Sequence, residues 1–204
     1  IADITVRECT NYAEINGYRY VGGIIGATQH TADAGIFYTT AIKCQNFGYV
    51  HSKNNDCGGI YGLAYYAKAE NCMNYANVAS DVTSKQANVG GIVGRLVDKS
   101  TAATLNYVIS LCWNAGDISS SATAVTARAG GIVGDGQYLG GVMNCLNTGI
   151  ISGKRENVGG ISGSTQGDPK MGYCLNTTSV VSDKAPHNYV NSIGGFMPTK
   201  PNLY

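Results

Sequence analysis

Apolar and polar positions along this chain alternate in short bursts, and the bursts recur. One phrase appears six times: Cys, a free position, Asn, a free position, a small residue or Thr, a free position, then Ile or Val. The copies begin with Cys9 and Asn11, Cys44 and Asn46, Cys72 and Asn74, Cys112 and Asn114, Cys145 and Asn147, and Cys174 and Asn176. Three residues before each Cys stands another apolar residue: Val6, Ala41, Ala69, Ile109, Val142 and Met171. A second phrase follows the first: an apolar residue, Gly-Gly, Ile or Phe, a free position, and Gly. It occupies 21–26, 57–62, 89–94, 129–134 and 158–163. The sixth copy reads Ile193-Gly194-Gly195-Phe196, with Pro198 where Gly should stand, as a capping repeat would.

Fixed positions with period two predict a strand that commits one face to a core. The Gly-Gly phrase predicts a second short strand, with glycines where backbones approach closely or turn. Two-strand units of about thirty residues cannot each enclose a core, so they must stack. Stacking at ~4.8 Å per rung sets like residues above like. Inward Cys then forms a column, and inward Asn forms a hydrogen-bonded ladder. The expected fold is all-β: a repeat β-solenoid, β-helix-like, of about six rungs. It forms one domain over 1–204, with repeats from about 6 to 196 and an irregular tail at 197–204. Strand direction and the hand of the solenoid stay open.

Composition narrows the functional classes. Fourteen basic residues against 13 acidic ones give a net charge of +1, so there is no electrostatic reason to expect a nucleic-acid partner. No apolar run approaches the ~18 residues of a membrane-spanning helix. The chain opens at Ile1 without a signal-peptide pattern, so it is expected to be an excised or mature piece of a larger protein.

The phrase Cys-x-Asn-x-Gly-x-Ile followed by Val-Gly-Gly-Ile-Val-Gly resembles the GLUG motif, and the resemblance covers about Val6 to Phe196. That repeat occurs in bacterial secreted and surface proteins, including adhesin-like proteins and non-catalytic regions of IgA-cleaving metalloproteases. The resemblance implies an extracellular or cell-surface setting in a bacterium. Because the repeat accompanies different activities, it implies little about this chain's own.

Six of the seven cysteines fill one equivalent position and the odd one, Cys57, takes a small apolar slot. Side chains in neighbouring rungs point the same way, so free buried thiols are expected rather than disulfides. Cysteines about thirty residues apart without a close Cys or His pair do not suit zinc. His30, His51 and His187 all fall in variable stretches and read as surface residues. The Gly-Gly-x-x-Gly spacing differs from a dinucleotide fingerprint and recurs in every repeat, so it reads as structural. Neither His-Glu-x-x-His nor Gly-x-Ser-x-Gly occurs. Acids are spread along the repeats; the best local group is Asp135 with Asp117, joined by Arg95 or Arg128. No cofactor and no metal is expected.

The free positions of the Cys phrase mark a candidate binding face. With Cys and Asn inward, one outward column reads Thr10, Gln45, Met73, Trp113, Leu146 and Leu175. The next reads Tyr12, Phe47, Tyr75, Ala115, Thr148 and Thr177. Tyr12, Phe47, Met73, Tyr75 and Trp113, with the loop pair Tyr65 and Tyr66, form an aromatic group suited to a host glycoprotein or polysaccharide. The same rows also serve as packing between strands. Three functions follow as expectations: a non-catalytic adhesion or ligand-binding module, a spacer attached to a secreted IgA-protease-like enzyme, or a glycan-active solenoid enzyme. The last requires converging carboxylates.

Overall fold

The structure is a computed structural model, described over residues 3–28, 38–82, 86–97, 108–124, 126–137, 141–154, 157–166, 170–183, 189–196 and 202–203. It is an all-β solenoid of six rungs, and every strand pair along the stack is parallel. Each rung lays down five short strands where the sequence pattern suggested two. In the first rung they are Ile4–Arg7, Thr10–Asn11, Ile15–Gly17, Val21–Gly22 and Ile25–Ala27. Repetition of these five builds five sheets, here called A to E in that order. The repeat stays in register: Asn11 lies beside Asn46, Asn46 beside Asn74, and so on to Asn176.

The strands are short because each repeat turns at fixed places. Between sheets A and B the residue before each Cys is left-handed: Glu8, Lys43, Asn71, Leu111, Asn144 and Tyr173 all have φ between 51° and 57°. None is glycine, so each bears the steric cost of that conformation, about 1–2 kcal/mol. The B–C corner is closed by the Asn side chain. One proton of its Nδ2 goes to the carbonyl two residues on, as from Asn46 to Gly48 at 2.8 Å and Asn114 to Gly116 at 2.7 Å. The other goes to Oδ1 of the Asn in the next rung, at 2.7–2.8 Å for all five steps from Asn11 to Asn176. Asn46, Asn74, Asn114 and Asn147 are fully buried, so this pairing also meets the requirement that buried amides be satisfied.

The ladder separates two apolar columns. One holds the cysteines, the apolar residues three positions before them, and the isoleucines that follow Gly-Gly, such as Ile60, Ile92, Ile132 and Ile161. The other holds Val50, Val78, Ile118 and Ile151 from sheet C with Cys57, Val89, Ala129 and Val158 from sheet D. Between them the second glycine of each pair lies against the ladder. A Cβ on Gly91 would sit 2.1 Å from the Gly131 carbonyl oxygen and 2.3 Å from Cγ of Asn114. Any side chain there collides with the rung above.

That contact explains the sixth repeat and corrects its alignment. Val158 pairs with Val190, and Gly159 with Asn191. The structural equivalent of Gly-Gly-Ile in rung six is therefore Asn191-Ser192-Ile193, three residues before the sequence match at Gly194-Gly195-Phe196. Gly160 faces the Ser192 carbonyl oxygen, and the Ile161 amide donates to the Ile193 carbonyl at 2.9 Å, as Ile132 donates to Ile161 one rung earlier. Ser192 is tolerated because the second glycine's forbidden neighbours belong to the following rung, which this position does not meet among the described residues. The first glycine is crowded by a carbonyl of its own rung, as Gly159 by Ser162, and nothing in the structure explains Asn191 in that place. The tail is not irregular throughout: Asn202–Leu203 pairs with Lys170 and Met171 and adds a seventh strand to sheet A. Pro198 lies outside the described residues.

The cysteines are free. Cys44, Cys57, Cys72, Cys112 and Cys145 are buried, Cys174 is half-buried, and Cys9 is exposed at the first rung. Thiols of the column lie 3.4–3.9 Å from carbonyl oxygens of the preceding rung, as Cys72 to Ala41 and Cys145 to Ile109. Burial pushes the Cys44, Cys57 and Cys112 thiols up, which keeps them protonated and inert.

Two outcomes are expected in chemical denaturation. Asn114→Ala leaves the Asn74 amide without its acceptor and loses two further bonds, costing about 3 kcal/mol, whereas Asn11→Ala at the open end costs less than about 1 kcal/mol. Equal losses at both ends and centre would contradict the ladder. Leu111→Gly, at an exposed left-handed position, gains about 0.5–1 kcal/mol because the relieved strain exceeds the entropy cost of glycine.

Candidate functional site

The candidate face grows directly from the ladder. The residue after each Asn sits in the turn that the Asn side chain closes, so its side chain points away from the core on every rung. Its backbone amide still pairs down the stack, as Phe47 to the Asn11 carbonyl at 2.8 Å and Tyr75 to that of Asn46 at 2.9 Å. The rings of Tyr12 and Phe47 therefore stack, with centroids 5.1 Å apart and planes 11° from parallel. Phe47 and Tyr75 stack at 4.6 Å and 7°. Rung four carries Ala115 in this slot, and there Trp113 of the neighbouring column meets Tyr75 edge-on at 5.4 Å and 73°. Its indole Nε1 donates to Thr148 Oγ1 at 2.9 Å, and the Tyr75 hydroxyl lies 3.0 Å from the Met73 sulfur.

Tyr12 is 76% exposed, Phe47 40% and Leu175 56%, while Met73, Tyr75, Trp113 and Leu146 are half-buried. The arrangement sets limits on recognition. Rings stacked face to face along the rungs give their faces to one another and turn their edges to solvent. Phe47 and Tyr75 thus form a ridge rather than a platform, and the outer face of Tyr12 is the open ring face of the stack. The structure gathers Tyr12, Phe47, Met73, Tyr75 and Trp113. Tyr65 and Tyr66 lie elsewhere, at the corner from sheet E to sheet A. Tyr65 ends the strand Tyr61–Tyr65 and Tyr66 is left-handed, with its ring edge-on to Tyr38 at 6.2 Å. Tyr61 is buried in the core, its hydroxyl donating to carbonyls of Thr39 and Lys68.

Two groups depart from the sequence expectation. His51 lies in the strand Val50–Ser52, not in a loop. Its Nε2 is 2.7 Å from Asp81 Oδ2, and its ring stacks on Tyr49 at 5.8 Å. The second group is buried where sheets D and E pack face to face through glycine: a Cβ on Gly90 would lie 2.0 Å from the Val93 oxygen. Beside those glycines, Asp56 and Asn88 are fully buried and joined at 2.7 Å. Arg128 reaches Asp135 at 3.2 Å, Arg95 lies 3.6 Å from the same oxygen, and Gln137 donates to it at 3.2 Å. Asp135 therefore meets both arginines, as its sequence neighbourhood suggested, but not Asp117. Asp117 is exposed and its Oδ1 accepts from the Ile150 amide at 2.9 Å. Asp56 takes the place of the second acid, a pairing invisible in sequence because it depends on which residue precedes each sheet D strand.

Burial dominates the electrostatics of this group. It raises the Asp135 carboxyl despite the two guanidiniums, lowers Arg128, and pushes Asp56 up to about 6. Among the described residues no three His, Cys, Asp or Glu side chains are grouped to hold a metal ion, and no helix is long and apolar enough to cross a membrane. In comparisons with protein-family models, with curated proteins and with solved structures, the chain matches none.

A raised carboxyl fixes the sign of one pH effect. A free aspartate titrates near ~3.9, so on acidification the folded protein binds this proton first. The stability that Asp56 contributes is fully present below about 4 and lost as pH rises through about 6, a difference of up to about 3 kcal/mol. Denaturation midpoints should accordingly be higher at pH 4.5 than at 7.5, and Asp56→Asn should flatten that dependence and stabilise the protein at neutral pH. An unchanged slope in the variant would contradict the assignment.

Proposed function

We propose that this chain is a non-catalytic extracellular repeat module of the GLUG kind that serves adhesion or ligand binding as part of a larger bacterial surface or secreted protein. The observation that carries the reading is the ridge of Tyr12, Phe47, Tyr75 and Trp113, held in a fixed row on the outside of a rigid stack. Ordered aromatics on a pre-organised scaffold lose little entropy on binding, which suits contact with a host glycoprotein or polysaccharide. The buried, arginine-bound Asp135 and the distant, exposed Asp117 supply no pair of carboxylates converging on an open groove, which weighs against a glycan-active enzyme.

A spacer holding a secreted protease away from the cell is the second reading. It is favoured by the same stacking, since rings that satisfy one another need no ligand.

The purified domain is to be tested against an array of host glycoproteins, mucins and polysaccharides beside the variant Tyr75→Ala/Trp113→Ala. Recognition predicts specific binding that falls at least ten-fold in the variant while circular dichroism and melting stay folded. Absence of binding across the array favours the spacer, and binding that survives the substitutions removes the ridge as its site.

A further inference from the structure

The repeat columns that stabilise this solenoid do not distinguish one rung from another. Cys stands over Cys and Asn over Asn in all six rungs, and the second glycines meet the same ladder. A chain that skipped a rung and looped it out would satisfy those columns equally well. Misassembly of that kind is a characteristic failure of repeat proteins. A second, non-uniform pair of columns runs between sheets D and E. On sheet D the residue opening each strand region reads Asp56, Asn88, Arg128, Asn157 in rungs two to five. On sheet E the aligned positions read Leu63, Arg95, Asp135, Ser164.

We infer that this buried polar group specifies the order of the rungs, pairing each central rung with its own neighbour and with no other. In the native order Asn88 of rung three donates to Asp56 of rung two at 2.7 Å, and Arg128 of rung four reaches Asn88 at 3.4 Å. Arg95 of rung three stands beside Asp135 of rung four at 3.6 Å. Placing rung three on rung five instead sets Arg95 against Ser164 and Asn88 against Asn157, so that Arg95 loses its ion pair with Asp135. Placing rung two on rung four sets Leu63 against Asp135 and Asp56 against Arg128, so that two carboxylates share one arginine. The first order leaves the half-buried Arg95 and the second the fully buried acids short of a partner, and breaking a buried pair is strongly disfavoured.

The group is not an optimised source of stability. Asp56 Oδ2, Asp135 Oδ1, Arg95 Nε and Arg128 Nε are all buried without a hydrogen-bond partner. Buried ions that gain so little from their pairing are retained more readily for the alternatives they exclude than for the energy they add.

The test replaces each member by a residue that a neighbouring rung carries at that place: Asp56→Asn, Arg95→Leu, Arg128→Asn and Asp135→Ser together. Protein diluted from denaturant is separated by size-exclusion chromatography with light scattering, and melting is recorded on the native monomer. The inference predicts a melting temperature equal to or above the parent's and a monomer fraction on refolding at least two-fold lower, with new slow phases. Val50→Ala, which weakens the core and keeps the charges, should refold to the parent's monomer fraction. Should the fourfold variant fail to fold, Arg95→Leu alone, which makes rung three match rung two on sheet E, must still lower the monomer fraction. A variant that refolds as cleanly as the parent, or a Val50→Ala control that misassembles equally, overturns the inference.

Discussion

The whole molecule depends on the distance between the second glycine of each repeat and the asparagine of the next. A hydrogen at that Cα lets the D–E turn rest against the Asn ladder; a Cβ would come within 2.3–2.6 Å of the Asn side chain. Because the approach is so close, the Asn amide is sealed from water, and a sealed amide must find partners within the protein. It finds them by closing its own corner and bonding the next rung. One contact thus sets the shape of each rung and the register between rungs.

Everything outward of that contact is positioned by it. The aromatic row exists because the position after Asn falls at a corner that faces solvent in every rung, so a sequence that places rings there gets a stack without further design. The stack turns its faces inward on itself, which makes it strong as packing and narrow as a recognition surface. Whether selection acted on the rings for adhesion or for stiffness, the same geometry results. Function here is therefore a property of which outward residues are supplied, and the frame accepts many sets of them.

Much of the frame was legible in the sequence because its constraints repeat. Six copies of Cys and Asn at one spacing identify inward positions, and the parity they set places Tyr12, Phe47 and Tyr75 outside. Five strands per rung were not legible: Thr10–Asn11 and Val21–Gly22 are too short to show a period, and corners made by left-handed Lys43 or Leu111 carry no composition signal. The sixth Gly-Gly misleads because the rule for the second glycine comes from the following rung, and Ser192 escapes it. The pairing of Asp56 with Asn88 was hidden for a different reason. It belongs to a column that varies from rung to rung, so repetition, the one signal that made the rest readable, is absent there.

The most direct test of the central constraint is hydrogen exchange of the asparagine side-chain amides, followed by NMR in the native state. The account predicts that Asn46, Asn74, Asn114 and Asn147 exchange only with global unfolding, while Asn11 at the open end exchanges first. Exchange of the four central amides at rates far above those of the surrounding backbone would show that the ladder does not hold the rungs, and would contradict the account.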